Sequence, residues 1–179
     1  MRNNMLFNKV IGIENVDKNQ NRNNRTAVRA IIYKDNKILM VNNNRGDYKL
    51  PGGGVHKNED LLHALRREVS EETGYRVKRA SKRIGHITER HDDTYIPNTI
   101  FEMKSEYYFC EVYDEPGKQN LDPYEEEQEF RPVWIELKDA IEKNEDILKK
   151  GTENTWVTRE VYVLKILREY FEKGVIKNE

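Results

Sequence analysis

Between Leu50 and Tyr75 the chain reads LPGGGVHKNEDLLHALRREVSEETGY, and its acids fall where a helix needs apolar side chains. A helix turns about 100° per residue, so with Leu61 at zero Leu65 falls at about 40°, Val69 at about 80° and Ala64 at about 300°. That sector must face a core. On the same scale Glu68, Glu71 and Glu72 fall at about 340°, 280° and 20°. His63, Arg66 and Ser70 take the opposite side. The acids therefore point inward, where an unpaired carboxylate is costly.

Arg67 is the nearest fixed cation and is placed to pair with Glu59, just ahead of the helix. One guanidinium cannot neutralise four carboxylates. An oxygen-only cluster of this kind suits a hard ion, Mg²⁺ or Mn²⁺. Zinc would want histidine or thiolate at spacings that are missing here. Gly52, Gly53 and Gly54 let the backbone approach an ion or a phosphate closely, and a carbonyl there can serve as a further hard ligand. On this reading a divalent cation makes the buried acids tolerable. Glu72→Gln is then expected to keep or raise the melting temperature, by removing a costly buried charge.

The segment has the form G-x5-E-x7-R-E-V-x-E-E-x-G-Y, carried by Gly53, Glu59, Arg67, Glu68, Val69, Glu71, Glu72 and Gly74. This resembles the Nudix box. The resemblance implies an α/β fold, a Nudix-like α/β/α sandwich with a mixed central sheet. It also implies a Mg²⁺-dependent pyrophosphohydrolase that cleaves the diphosphate linkage of a nucleoside diphosphate-X or nucleoside triphosphate by water attack at phosphorus. Glu68, Glu72, Arg67 and Glu59 would form the catalytic set. Glu68, Glu71 and Glu72 would hold the metal with the Gly53 carbonyl assisting, and Arg67 would be structural, bridging to Glu59. Glu68 is the first choice of general base. An acid of the run 125–129 is the second, with Glu127 and Glu129 as candidate extra metal ligands, although such a run is ordinarily a solvated loop. Tyr75 and His56 depart from the family pattern, which prefers an aliphatic residue and often an acid at those places.

Substrate contacts outside the box are harder to read. Arg29, Tyr48 and the glycines Gly52, Gly53 and Gly54 are candidates, and Arg90 or His91 at a strand end could meet a phosphate or stack on a base. Two rival readings keep the same box: an enzyme acting on RNA 5′-triphosphate or cap ends, and a non-catalytic module that senses nucleotides.

Charge bears on that choice. The chain has 31 Lys and Arg against 32 Asp and Glu, a net charge of −1. Nucleic-acid readers usually carry a basic excess, so a small nucleotide-like molecule is the expected partner. The single cysteine, Cys110, lies in an apolar run and is expected to be a buried small hydrophobe. No disulfide is possible within the chain, no apolar stretch is long enough to span a bilayer, and the first ten residues lack a signal-peptide core; the expectation is a cytoplasmic protein. Homodimerisation is expected from the resemblance.

The 179 residues show no repeat or composition break, so 1–179 is read as one domain with a partly irregular segment over 1–25. Residues 17–25 read as a loop, 26–33 and 38–41 as strands around a turn at 34–37, and 48–50 as a short strand. A helix is predicted from the Asp60 cap to Gly74. Strands follow at 82–90, 99–113 and 132–135, with a turn at 115–117. A short helix is placed at 137–143. A C-terminal helix over 155–173, packed on the domain, carries Trp156, Val163, Leu164, Leu167, Tyr170 and Phe171 on one stripe.

Overall fold

The computed structural model describes residues 5–151 and 155–173. In chain order it contains β1 (Phe7–Gly12), β2 (Asn21–Ile31), β3 (Tyr33–Lys34), β4 (Lys37–Asn42), β5 (Tyr48–Lys49), α1 (Leu61–Thr73), β6 (Val77–Asp92) and β7 (Thr99–Val112). Then come α2 (Pro123–Glu127), β8 (Arg131–Ile135), α3 (Leu137–Lys149) and α4 (Thr155–Glu172). One sheet has the order β1-β6-β7-β2, parallel at both ends and antiparallel at its centre. A second sheet runs β3-β4-β5, with β8 added to β4.

Alternation along the strands divides the interior in two. Val28, Ala30 and Ile32 pack with Ala64, Leu65 and Val69 of α1. Ile31, Met40, Ile87 and Tyr107 pack on the other side with Ala140 and Ile141 of α3 and Val163, Leu164 and Leu167 of α4. Helices thus cover both faces of a mixed sheet, the expected α/β/α arrangement. The turn at 34–37 also forms, with Asp35 and Asn36 at φ 50° and 61°. Both residues are left-handed, as a two-residue hairpin needs.

Four local expectations are corrected. Residues 17–25 are not all loop, because β2 begins at Asn21 and pairs in register with β7 along its whole length. Likewise Phe7–Gly12 is a strand on β6, with Phe7 edge-on to Tyr107 at 5.1 Å. The polar side chains of 21–25 hid a pairing made by backbone groups. Part of the acidic run 125–129 folds into α2. Helix α3 continues six residues past Lys143, which brings the buried Asn144 under β5.

Asn144 explains how the short strand β5 is held. Its Oδ1 accepts the Tyr48 amide at 2.9 Å, and its Nδ2 donates to the Tyr48 carbonyl at 2.8 Å. One turn of α4 does the same for the next residues: Glu160 Oε2 accepts the Leu50 amide at 3.1 Å. Glu160 is in turn paired with Arg159 at 2.8 Å, and Arg159 with Glu89 of β6 at 2.7 Å. Buried backbone groups need partners, and here helix side chains supply those a neighbouring strand would give. The apolar stripe expected on α4 is therefore interrupted by a buried ion network.

Asp47, at the entry to β5, is buried, and neither carboxylate oxygen has a hydrogen bond of normal geometry. Burial pushes its carboxyl up to about 6, offset only in part by Asn43 and Arg45. A folded pKa above the unfolded value gives stability that is present below pH 4 and is lost as pH rises through 6. Asp47→Asn should therefore melt higher than the parent at pH 7.5, by roughly 3 kcal/mol of stability, with the difference vanishing near pH 4. Thermal unfolding at the two pH values checks this, and an equal shift at both would refute it.

Candidate active site

Helix α1 begins where Asp60 Oδ1 accepts the amides of Leu62 and His63, at 3.0 and 3.1 Å. It ends at Gly74, whose φ of 75° is left-handed and whose missing side chain leaves room for the Gly117 carbonyl. Between these caps the acids sit as the helical spacing requires. Glu68 and Glu72 are buried and Glu71 is half-buried.

Arg67 ties the helix to the loop before it. Its Nε and Nη2 meet the two carboxylate oxygens of Glu59, both at 2.8 Å. Nη2 also donates to the Gly54 carbonyl at 3.1 Å, while Nη1 reaches Glu68 at 2.6 Å and Glu71 at 3.1 Å. This paired fork, with the His56 amide, holds the Glu59 carboxyl well below the usual carboxylate range. Arg67 and Glu59 thus act as the bridge expected of them.

Glu72 has a partner that the sequence reading missed. Lys49 Nζ pairs with Glu72 Oε1, and the Gly52 amide donates to Oε2 at 2.8 Å. The ammonium also lies 4.6 Å from the Phe130 ring centroid. Burial raises the Glu72 carboxyl and Lys49 opposes it; burial raises Glu68 and Arg67 opposes it. The expectation that a divalent ion alone makes these acids tolerable is corrected, since the chain brings two cations of its own. The signal was a lysine inside the short strand expected at 48–50, leading into the glycines.

Each glycine before the helix has a separate reason. At Gly52, φ is +140° and a Cβ would collide with the Val28 carbonyl. Its amide is held by Glu72 and its carbonyl by Arg29 Nη1. At Gly53 a Cβ would collide with the Glu68 carboxylate. The Gly53 carbonyl accepts the Val28 amide at 3.0 Å, which leaves one lone pair for another ligand. The run was expected to admit an ion or a phosphate; the group that it admits at Gly53 is the Glu68 carboxylate.

The remaining candidates divide. Arg29 is buried and serves Gly52. Tyr48 packs in the core beneath α3 and α4, so its neighbour Lys49 is the residue of β5 that faces the acids. Glu127 and Glu129 are exposed, and Glu129 pairs with Arg131 at 3.5 Å. Glu125 is the buried acid of that run, accepting the Asp122 amide at 3.0 Å and the Tyr124 hydroxyl at 3.1 Å. The Phe130 ring meets both the Tyr124 ring, at 6.0 Å between centroids, and the Lys49 ammonium that pairs with Glu72, which places this turn beside the acidic helix. The pattern Asp122-Pro123-Tyr124-Glu125, a helix cap with an acid three residues on, could have singled Glu125 out. Tyr75 departs from the family pattern because its hydroxyl accepts the Trp134 indole N–H at 3.1 Å.

By donor chemistry the carboxylates suit a hard cation, and the free lone pair of the Gly53 carbonyl, with the Glu68 carboxylate packed against that glycine, lets backbone oxygen join them. Among the described residues no three acids converge closely enough to grip one ion. Arg67 instead bridges Glu68 and Glu71, and Lys49 pairs with Glu72. A divalent ion would take over part of the charge balance now held by those two side chains.

Lys49→Met leaves Glu72 as an unpaired buried carboxylate, a change that typically costs about 3–5 kcal/mol. For a chain of this size the melting temperature should drop by roughly 10 °C at neutral pH. Lys49→Met with Glu72→Gln should recover much of it. Because the lysine stays behind, Glu72→Gln alone is now expected to lower the melting temperature, not raise it. A single Lys49→Met variant that melts like the parent would dismiss the pair as a stabilising contact.

Comparison with known proteins agrees with this geometry. The chain is 50% identical over 52 residues to an ADP-ribose pyrophosphatase of Methanocaldococcus jannaschii, covering 27% of this chain and 31% of that protein. It is 42% identical over 55 residues to an 8-oxo-dGTP diphosphatase of Buchnera aphidicola subsp. Schizaphis graminum, covering 28% of this chain and 42% of that protein. The matched stretch thus spans less than half the length of either relative. A solved NUDIX hydrolase from Nitrosomonas europaea shares the fold, with a TM-score of 0.53 at 17% identity over 88% of this chain and 98% of that one. The family profile of the NUDIX domain matches residues 23–155, about three quarters of the sequence. The chain therefore belongs to the Nudix family.

Proposed function

We propose that this protein is a divalent-metal-dependent hydrolase that splits the diphosphate linkage of a nucleoside diphosphate-X or nucleoside triphosphate. The observation that carries this reading is the Arg67–Glu59 clamp, whose guanidinium also holds Glu71 and a Glu68 carboxylate packed against Gly53, while Glu72 holds the Gly52 amide. Two relatives whose names give a pyrophosphatase and a diphosphatase match the chain over 52 and 55 residues, which supports the same reaction class. Mg²⁺ or Mn²⁺, held by Glu68, Glu71, Glu72 and the Gly53 carbonyl, would neutralise the diphosphate and acidify water at the site.

The chain's own groups do the rest. Glu68 takes the proton as water oxygen bonds to phosphorus, and the bridging P–O bond breaks toward the leaving phosphate. Burial raises the Glu68 carboxyl, which makes it a better proton acceptor than an exposed glutamate. Arg67 keeps Glu68 and Glu71 oriented, and Lys49 keeps Glu72 against Gly52. Glu125, the buried acid of the run 125–129, is the alternative base, from the turn whose Phe130 ring lies under the Lys49 ammonium paired with Glu72. All four box glutamates being present disfavours a purely sensing role, and the balanced net charge disfavours RNA ends as the substrate. Among the described residues no helix is long and apolar enough to cross a membrane. The buried, lone Cys110, its thiol pushed up to about 12, is compatible with the reducing cytoplasm that we infer.

A panel of ADP-ribose, dGTP, diadenosine tetraphosphate and 5′-triphosphorylated RNA, with Mg²⁺ or with EDTA, tests the reading. Turnover of at least one small nucleotide, lost on chelation, is expected. Glu68→Gln and Glu72→Gln should each cut kcat by about 10²–10⁴-fold with circular dichroism unchanged. Full activity in Glu72→Gln would show that the acidic helix does not carry the reaction.

A further inference from the structure

On the sheet, the face turned toward α4 carries Arg25, Ala27 and Arg29 of β2 and, by register, Met103, Ser105 and Tyr107 of β7. On β6 it carries Ile87, Glu89 and His91. Two contacts identify this face: Arg159 of α4 pairs with Glu89, and Lys9 of β1, level with Ile87, lies over the Tyr162 ring of α4. The core ends at that row. Beyond it, Phe101 is paired with His91 and level with Asn23, and Phe101 and His91 belong to neither hydrophobic cluster. Their rings stack, with centroids 4.9 Å apart and planes 23° apart, and both are only half-buried.

Arg25 connects this pair to the active site. It is exposed, and its Nη2 lies 3.2 Å from the point a Cβ on Gly54 would occupy. Adjacent glycines thus open to opposite sides, Gly53 onto Glu68 and Gly54 onto Arg25. From Arg25 the level of Phe101 is two strand residues away, about 7 Å. At the far end of the same row, Asn23 donates to Asp93 at 2.7 Å, which sets an amide and a carboxylate beside the rings. A phosphate seated at the glycine edge would therefore meet a guanidinium, then a flat aromatic surface, then hydrogen-bonding groups, in the order that phosphate, sugar and base follow in a nucleotide.

We propose that the Phe101–His91 pair is the base-stacking subsite of this protein and that Arg25 binds the sugar-phosphate leading to it. The assignment rests on the site being a diphosphate hydrolase. It makes the base-bearing half of the substrate a specificity element read on the α4 face, whereas the bond is cut on the α1 side of the same glycine edge.

Two readouts test it. With Mg²⁺, turnover is compared between whichever of ADP-ribose, dGTP and diadenosine tetraphosphate the parent cleaves fastest and 5-phosphoribosyl 1-diphosphate, which has no base. Separately, calorimetry follows the binding of AMP and of ribose 5-phosphate. Phe101→Ala should raise KM for the base-bearing substrate, and weaken AMP, by about tenfold or more, the scale of base–aromatic stacking. Its kcat should stay within about twofold, and the base-free compounds should be unaffected. Phe101→Trp should restore binding, and Arg25→Ala should weaken both classes of compound. If Phe101→Ala fails to fold by circular dichroism, His91→Leu carries the same comparison. Equal losses on base-bearing and base-free compounds, or no loss on either, overturn the subsite while leaving the hydrolase reading intact. A parent that cleaves no diphosphate overturns both.

Discussion

Glu72 is the residue on which the architecture of the site turns. A glutamate on the core side of a helix is affordable only if its charge is met. Here three elements converge to meet it: β5 sends Lys49, the glycine loop sends the Gly52 amide, and α1 supplies the acid. Removing any one leaves the others unsatisfied in a buried place. The pair is thus less a source of stability than a device that fixes the loop relative to the helix, since burying ions rarely stabilises as much as burying hydrocarbon.

The other helices support that junction from behind. A two-residue strand cannot hold its own register, and β5 has α3 and α4 as its guides through Asn144 and Glu160. Arg159 passes the restraint on to β6, the strand that also carries His91. Packing of α4 and position of the glycine loop are therefore mechanically linked. The Arg67 clamp completes the frame from the other side, joining Glu59, the loop carbonyl of Gly54 and two acids through a single planar group. A lysine could not do this, because it offers a point charge where a fork is needed.

Legibility in the sequence followed the range of the interactions. The caps at Asp60 and Gly74, the inward acids and the Glu59–Arg67 bridge all lie within the sixteen residues 59–74, so local geometry orders them. Lys49 lies 23 residues from Glu72 and Asn144 lies 96 from Tyr48. No periodicity reveals such pairs. The strands at 7–12 and 21–25 escaped notice for a related reason: residues 21–25 are all polar and 7–12 mix Phe7, Val10 and Ile11 with Asn8 and Lys9 in no regular alternation, so only pairing with β6 and β7 makes them strands. Glu125 was passed over for Glu127 and Glu129 because charge density in a run does not say which member turns inward.

What the chain's order of residues determined unaided is local chemistry: an amphipathic helix whose buried side contains carboxylates, preceded by glycines that admit a close neighbour. That much is dictated by the 100° turn of a helix and by the absence of a Cβ. Tertiary structure alone decided which cations answer those carboxylates, which acid of the later run lies beside them, and that the aromatic pair shares a sheet face with Arg25. Such choices depend on residues far apart in sequence meeting at distances of a few ångströms, where the cost of an unpaired buried charge selects one arrangement over the rest.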